Sequence, residues 1–160
     1  MTLEIKLAYD KPNVIISLFN EYTEFLNIQN KSFKKYLTLQ KYDDEVKNLE
    51  HKYGLPFGRL YLACYNNKPA GCIALRKLDN ENCEMKRLYV RPEFRGKQIG
   101  SGLIQKIIID AREIGYKHML LDTLPSLKTA IMMYKKIGFY EISAYNDSPV
   151  KETVFMCFDL

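Results

Sequence analysis

The segment Arg91-Pro-Glu-Phe-Arg95-Gly-Lys-Gln-Ile-Gly100-Ser-Gly102 packs glycines and cations between two stretches of different hydrophobic period. Ahead of it, Cys83 to Val90 reads as a strand. Behind it, Leu103, Ile104, Ile107, Ile108 and Ala111 recur at the spacing of one helical face, which predicts a helix from about Ser101 to Ile114 with Gly115 as its C-cap. A helix start after a strand suits an anion, because the first-turn amides lack intrahelical partners and the dipole there favours negative charge. Lys86, Arg87, Arg91, Arg95 and Lys97 lie close by in sequence and are opposed only by Glu93, so a local positive field is expected. The same residues also fit a glycine-rich helix start with solvated cations, and the loop alone leaves both readings open. A Walker loop would require G-x-x-x-x-G-K-[ST], which the chain lacks. A dinucleotide fingerprint would require a parallel sheet, whereas strands predicted as antiparallel precede these glycines.

The rest of the pattern sets that junction in a mixed fold. A short strand is expected over residues 3–8, then a helix capped by Asp10 with Pro12 in its first turn and Val14, Ile15, Leu18, Phe19, Tyr22, Phe25 and Leu26 on one face. Residues 31–53 read as a polar helical stretch, divisible into two short helices. Leu60 to Tyr65 and Ala70 to Arg76 form a hairpin across Asn66-Asn67-Lys68-Pro69, and Asp79 to Asn82 turns into the strand ending at Val90. Lys117 to Asp122 is a strand, and Ser126 caps a helix that Gly138 ends. Strands near Phe139 to Ser143 and Thr153 to Asp159 close the chain. The fold class is therefore α/β (α+β), a single mixed, largely antiparallel sheet with helices on both faces, in one domain over residues 1–160.

Composition narrows the class further. With 160 residues, 47% of them hydrophobic, the chain builds a core without disulfides or metals. Cys64, Cys72, Cys83 and Cys157 are scattered over predicted strands with no C-x-x-C pair, so buried reduced thiols are expected rather than a zinc site. His118 falls in a predicted buried strand and His51 in a polar helix, and no metal cluster is indicated. The start lacks a signal-peptide pattern, and no apolar run approaches the length of a membrane span, so a cytoplasmic location without membrane association is expected. A net charge of +5 is compatible with an anionic ligand. Nucleic acid is not expected, because a recognition helix and interleaved aromatic platforms are missing.

Three stretches in order resemble the GNAT superfamily of N-acetyltransferases. Its loop pattern R/Q-x-x-G-x-G/A reads here as Arg95-Gly-Lys-Gln98-Ile-Gly100. The likeness extends to Glu84-Met-Lys-Arg-Leu-Tyr-Val90-Arg-Pro92 before the loop and Ala130-Ile-Met-Met-Tyr134-Lys-Lys-Ile-Gly138-Phe139 after it. The resemblance implies an acetyl-CoA site in which the backbone of Leu88 and Val90 holds the thioester and pantetheine arm. It implies that Arg95, Gly96, Lys97, Gln98, Gly100 and Ser101 hold the pyrophosphate. Gln98 stands where the pattern usually has glycine, and Leu127 where the family often has a cofactor-contacting asparagine.

Acetyl transfer to an amine needs a neutral nucleophile, a polarised thioester carbonyl and a proton for the departing thiolate. Strand alternation is expected to put Glu84, Lys86, Leu88 and Val90 on one face, which makes Glu84 either the base or a surface carboxylate beside Lys86 and Arg87. Tyr134 shares a helix face with Ala130, Met133 and Ile137 and reads as a core aromatic. The resemblance implies instead that Tyr134 is the general acid at the coenzyme sulfur. The acceptor side is expected around residues 25–57, where Tyr36, Tyr42 and Tyr53 interleave with Asp43, Asp44 and Glu45, either a seat for a cationic amine or a solvated acidic face. The expected reaction is transfer from acetyl-CoA to a primary amine of a small molecule or peptide, with no metal, and the resemblance admits a homodimer. The alternative is an acetyl-CoA-binding regulator without turnover.

Overall fold

The computed structural model describes residues 2–39 and 41–160. Seven strands form one sheet: β1 (Leu3–Leu7), β2 (Arg59–Tyr65), β3 (Lys68–Lys77), β4 (Asn82–Val90), β5 (His118–Thr123), β6 (Tyr140–Ile142) and β7 (Val154–Asp159). Their order is β1-β2-β3-β4-β5-β7-β6, and every neighbouring pair is antiparallel except β4 and β5. The largely antiparallel mixed sheet expected from the sequence is thus present. Asn66 and Asn67 both adopt positive φ and close the β2–β3 hairpin in the backbone twist that two-residue loops favour.

Helices cover both faces. On one side, α5 (Ile99–Ile114) buries Leu103, Ile104, Ile107, Ile108 and Ala111 against Ile73, Leu75, Cys83 and Met85, together with Tyr134 of α6 (Lys128–Ile137). Gly115 ends α5 at φ 107, a left-handed conformation that costs glycine little. On the other side, α1 (Pro12–Gln29) and α4 (Leu49–Tyr53) bury Ile15, Leu18, Phe19, Leu49 and Tyr53 against Leu60, Leu62, Cys72 and Ala74. All four cysteines are free, buried and in strands, as their placement suggested.

Several local expectations are corrected. Lys11, not Asp10, precedes α1, and Leu127, not Ser126, precedes α6; neither side chain accepts a capping hydrogen bond, so tertiary packing fixes both starts. The stretch 31–53 breaks into three helices, α2 (Phe33–Leu39), α3 (Tyr42–Lys47) and α4. Asn48 caps the last of them by accepting from the His51 amide. Helix α5 begins two residues before the expected Ser101. His118 is half-exposed rather than buried, with Nε2 3.8 Å from Asp159.

Two irregularities in the middle of the sheet shape the site. The β3–β4 register steps from Ala74↔Lys86 to Cys72↔Tyr89, so β4 carries one extra residue. Arg87 absorbs it at φ 59. The bulge shifts the alternation: Glu84 and Lys86 face the α1 side, while Leu88 and Val90 face the α5 side. The expectation that all four share one face is therefore overturned, because strict alternation presumes an unbroken strand. The second irregularity is a splay. Strand β4 pairs with β5 only over Asn82↔His118, Cys83↔Met119 and Glu84↔Leu120, and beyond Glu84 the two strands separate.

Candidate active site

The splay opens a cleft lined by Lys86, Leu88, Leu121, Asp122 and Tyr134, with Tyr22 and Tyr36 from the early helices. Tyr134 is buried, and its ring packs 5.8 Å from that of Phe139. Its hydroxyl has no hydrogen-bond partner among the described residues. Burial pushes its pKa well up, and the nearby Tyr22 and Asp122 push in the same direction, so the hydroxyl stays protonated at neutral pH. The expected core aromatic and the expected acid are compatible: the ring is core and the hydroxyl borders the cleft.

At the far end of β4 the glycine-rich loop meets α5. The amides from Gly96 to Ser101 donate no hydrogen bonds among the described residues, and the first amide of the turn that is engaged is Gly102, on the Gln98 carbonyl at 3.1 Å. Gly96 sits at φ 80 and Gln98 at φ 60. A left-handed conformation at residue 98 explains why glycine is the usual residue there, and a side chain in that conformation costs roughly 1–2 kcal/mol. Gln98→Gly is therefore expected to raise the midpoint of chemical denaturation, with an unfolding free energy about 0.5–1 kcal/mol larger once glycine's greater unfolded-state entropy is counted. A lower midpoint would contradict the strain.

The positive field at the loop is narrower than the sequence suggested. Arg87 is buried and grips Glu45 through Nε and Nη2, both at 2.9 Å. Arg91 turns to Glu21, with Nη2 2.8 Å from Oε2. Lys86 lies in the cleft. Of the five cations, Arg95 and Lys97 remain exposed beside the loop; Arg95 Nε donates to the Val90 carbonyl at 3.1 Å, and Lys97 Nζ stands 5.2 Å from the Tyr65 ring centre.

On the α1 side of β4, Glu84 is 2% exposed. Its Oε1 accepts from Arg76 Nε at 2.7 Å and its Oε2 from the Tyr145 hydroxyl at 2.6 Å. Burial raises its pKa, but the charges of Lys86 and Arg76 and the two hydrogen bonds outweigh burial, leaving it lowered. It borders a second cavity, shared with Tyr36, Lys52, Arg76, Lys86 and Asn146. Of the acidic run expected either to seat a cationic amine or to form a solvated face, Asp43 and Asp44 are exposed, whereas Glu45 is buried between Arg87 and Lys52.

Sequence reasoning, which had named Tyr36, missed three contributors, Asp122, Asn146 and Tyr145. The Tyr36 hydroxyl donates to Asp122, and Asn146 Nδ2 donates to the same carboxylate at 2.7 Å, which ties α2 to the end of β5 and to the loop before β7. Tyr145 holds Glu84 from that loop as well. These partners lie in separate parts of the chain and share no local motif, so no sequence signal pointed to them.

A family model described as the acetyltransferase (GNAT) family matches residues 22–139. The chain belongs to the GNAT family. This GNAT chain is 42% identical over 122 residues to a Schizosaccharomyces pombe protein named as an uncharacterized N-acetyltransferase, covering 75% of each. Its fold matches an acetyltransferase from Streptococcus agalactiae with a TM-score of 0.77 at 24% identity, covering 99% of this chain and 98% of the other. A GNAT acetyltransferase from Elizabethkingia anophelis, solved with acetyl-CoA bound, aligns with a TM-score of 0.56 at 29% identity over 64% of this chain and 76% of its own. No helix among the described residues of this GNAT protein is long and apolar enough to cross a membrane, and no His/Cys/Asp/Glu group among them could hold a metal.

Proposed function

We propose that the chain transfers an acetyl group from acetyl-CoA to a primary amine of a small molecule or peptide by direct attack in a ternary complex. The observation that carries this reading is that one strand serves two openings: a cleft bordered by the Tyr134 hydroxyl, which has no hydrogen-bond partner among the described residues, and a cavity bordered by Glu84, with Lys86 and Tyr36 common to both.

The residues present fit the coenzyme. The undonated amides from Gly96 to Ser101, with the Arg95 and Lys97 side chains, suit a pyrophosphate, and Gly100 leaves a Cβ-sized gap 3.6 Å from Met133. Beyond Glu84, β4 lacks a strand partner on its β5 side, so the backbone of Leu88 and Val90 can receive the pantetheine arm as a further strand would be received. Acetyl-CoA supplies the acetyl group activated as a thioester. Tyr134 gives its proton to the leaving sulfur, and Glu84 takes one from the amine through water, so one proton leaves and one arrives as the C–N bond replaces the C–S bond. Burial pushes the Cys72, Cys83 and Cys157 thiols up and away from the nucleophilic thiolate, which favours this direct route over an acetyl-cysteine. Acetyl-CoA supply and reduced thiols both fit the cytoplasm.

Thiol release from acetyl-CoA in the presence of amine panels tests the proposal. Glu84→Gln should lower turnover by about 10²-fold or more. Because the Glu84 pKa is lowered, its carboxylate stays ionised as pH falls through the neutral range, and the loss of rate on acidification should follow protonation of the acceptor amine. An acidic limb common to acceptors of different basicity, and abolished by Glu84→Gln, would contradict that assignment. Coenzyme binding with no release for any amine would identify a non-catalytic regulator.

A further inference from the structure

The cavity beside Glu84 holds about 300 Å³, the lower end of small-molecule sites, and its charges do not cancel. Glu84 already has Arg76 Nε and the Tyr145 hydroxyl on its two oxygens. Lys52 Nζ is committed to Glu45 Oε1 at 2.7 Å, and Glu45 also carries Arg87. Asp122, on the cleft side, receives Tyr36 and Asn146. Asp147, the remaining carboxylate on the wall, is exposed at the rim.

The cations are less fully used. Arg76 engages only Nε, and its two terminal nitrogens have no partner among the described residues. Lys86 is 8% exposed; its Nζ lies 5.9 Å from the centre of the Tyr36 ring and has no hydrogen-bond or ion-pair partner among the described residues. Glu84 acts on Lys86 only through space and already accepts from Arg76 and Tyr145, and a buried cation without a direct ion-pair partner is expensive unless something supplies one. Lys86 borders the cavity and the cleft alike, so an anion bound to it lies at their junction.

We propose that the acceptor is a small amine that also bears a carboxylate, of the free amino-acid class, with Lys86 and the free end of Arg76 holding the carboxylate so that the amino group faces the cleft. This inference rests on the acetyl-transfer reading above and names its substrate class. The unmet positive charge attracts such a zwitterion and repels a polyamine, which brings only further cations. Carboxylate recognition by two cations also fixes orientation, since the amine is then tethered a bond or two from the anchored group.

The experiment measures thiol release by the full chain with free amino acids, each paired with its carboxamide, and with diamines of matching length. The expected result is that kcat/KM for the turned-over acids exceeds that for their amides by about 10- to 10²-fold, as loss of a charge-assisted hydrogen bond implies. In Lys86→Met that ratio falls toward unity, chiefly through KM of the acid, and in Lys86→Arg it is largely kept. If amides or diamines are turned over as well as or better than the acids, the carboxylate subsite is overturned while acetyl transfer stands. If no amine of any kind elicits thiol release, the acetyl-transfer reading itself falls and takes the subsite with it. The wild-type ratio decides the matter even if the Lys86 variants fold poorly.

Discussion

Tyr134→Phe lowers turnover by about 10²-fold or more and leaves acetyl-CoA affinity in place. The substitution removes one oxygen whose hydrogen bonds are unmade among the described residues, so no neighbour loses a partner. The ring keeps its contact with Phe139 and its place in the core shared with α5, and stability should change little. What disappears is the proton beside the cleft. The raised pKa gives that loss a pH signature: a phenol so shifted stays a donor throughout the neutral and mildly alkaline range, so the wild-type rate should show no alkaline limb from this residue. Steady-state turnover and equilibrium coenzyme binding, measured on the same preparation, check both halves. Unchanged turnover would remove Tyr134 from the chemistry.

Glu45→Ala should be the most destabilising single change near the site. It leaves the Arg87 guanidinium buried without the carboxylate that meets it at 2.9 Å through two nitrogens, a loss of about 3–5 kcal/mol. For a chain of this size the melting temperature should fall on the order of 10 °C. Pairing Glu45→Leu with Arg87→Met should recover much of the stability, since the cost arises from removing one side of a buried ion pair. The same pair gives an acid dependence. Burial raises the Glu45 pKa, but the hydrogen bonds and charges of Arg87 and Lys52 outweigh it, lowering it from 4.5 to about 2. A depressed folded pKa contributes stability that is full above about pH 4.5 and is lost as pH falls toward 2, worth about 3 kcal/mol. Denaturation midpoints between pH 6 and pH 3 should fall more steeply for the wild type than for the Leu/Met double variant; parallel curves would contradict the pairing.

Much of this architecture was legible in the residues. The period of α5, the Asn66–Asn67 turn, the glycine that ends α5 and the order of helices and strands along the chain all follow from local chemistry. The loop and Tyr134 were legible because they sit in contiguous motifs. The face assignment along β4 was not, since a bulge at Arg87 is settled by a partner forty-two positions away, where Glu45 makes the left-handed arginine worthwhile. For the same reason the basic cluster dispersed on folding: Arg87 and Arg91 went to glutamates of the early helices, and Lys86 turned into the site. The N-cap assignments at Asp10 and Ser126 failed because α1 and α6 begin where packing, rather than a side-chain oxygen, sets the first turn, while the C-cap glycines Gly115 and Gly138 held. The Tyr36–Asp122–Asn146 contact joins three separated segments and leaves no trace in any short window.

The brief pairing of β4 with β5 has a mechanical meaning as well. Three aligned residue pairs stitch a four-stranded half, β1 to β4, to a three-stranded half, β5 with β7 and β6. The sheet therefore has a seam, and the seam runs along the groove where a ligand would lie. A molecule seated there restores the cross-links that the backbone omits, so occupancy would stiffen the whole protein along its weakest line and report itself at positions far from the reacting atoms.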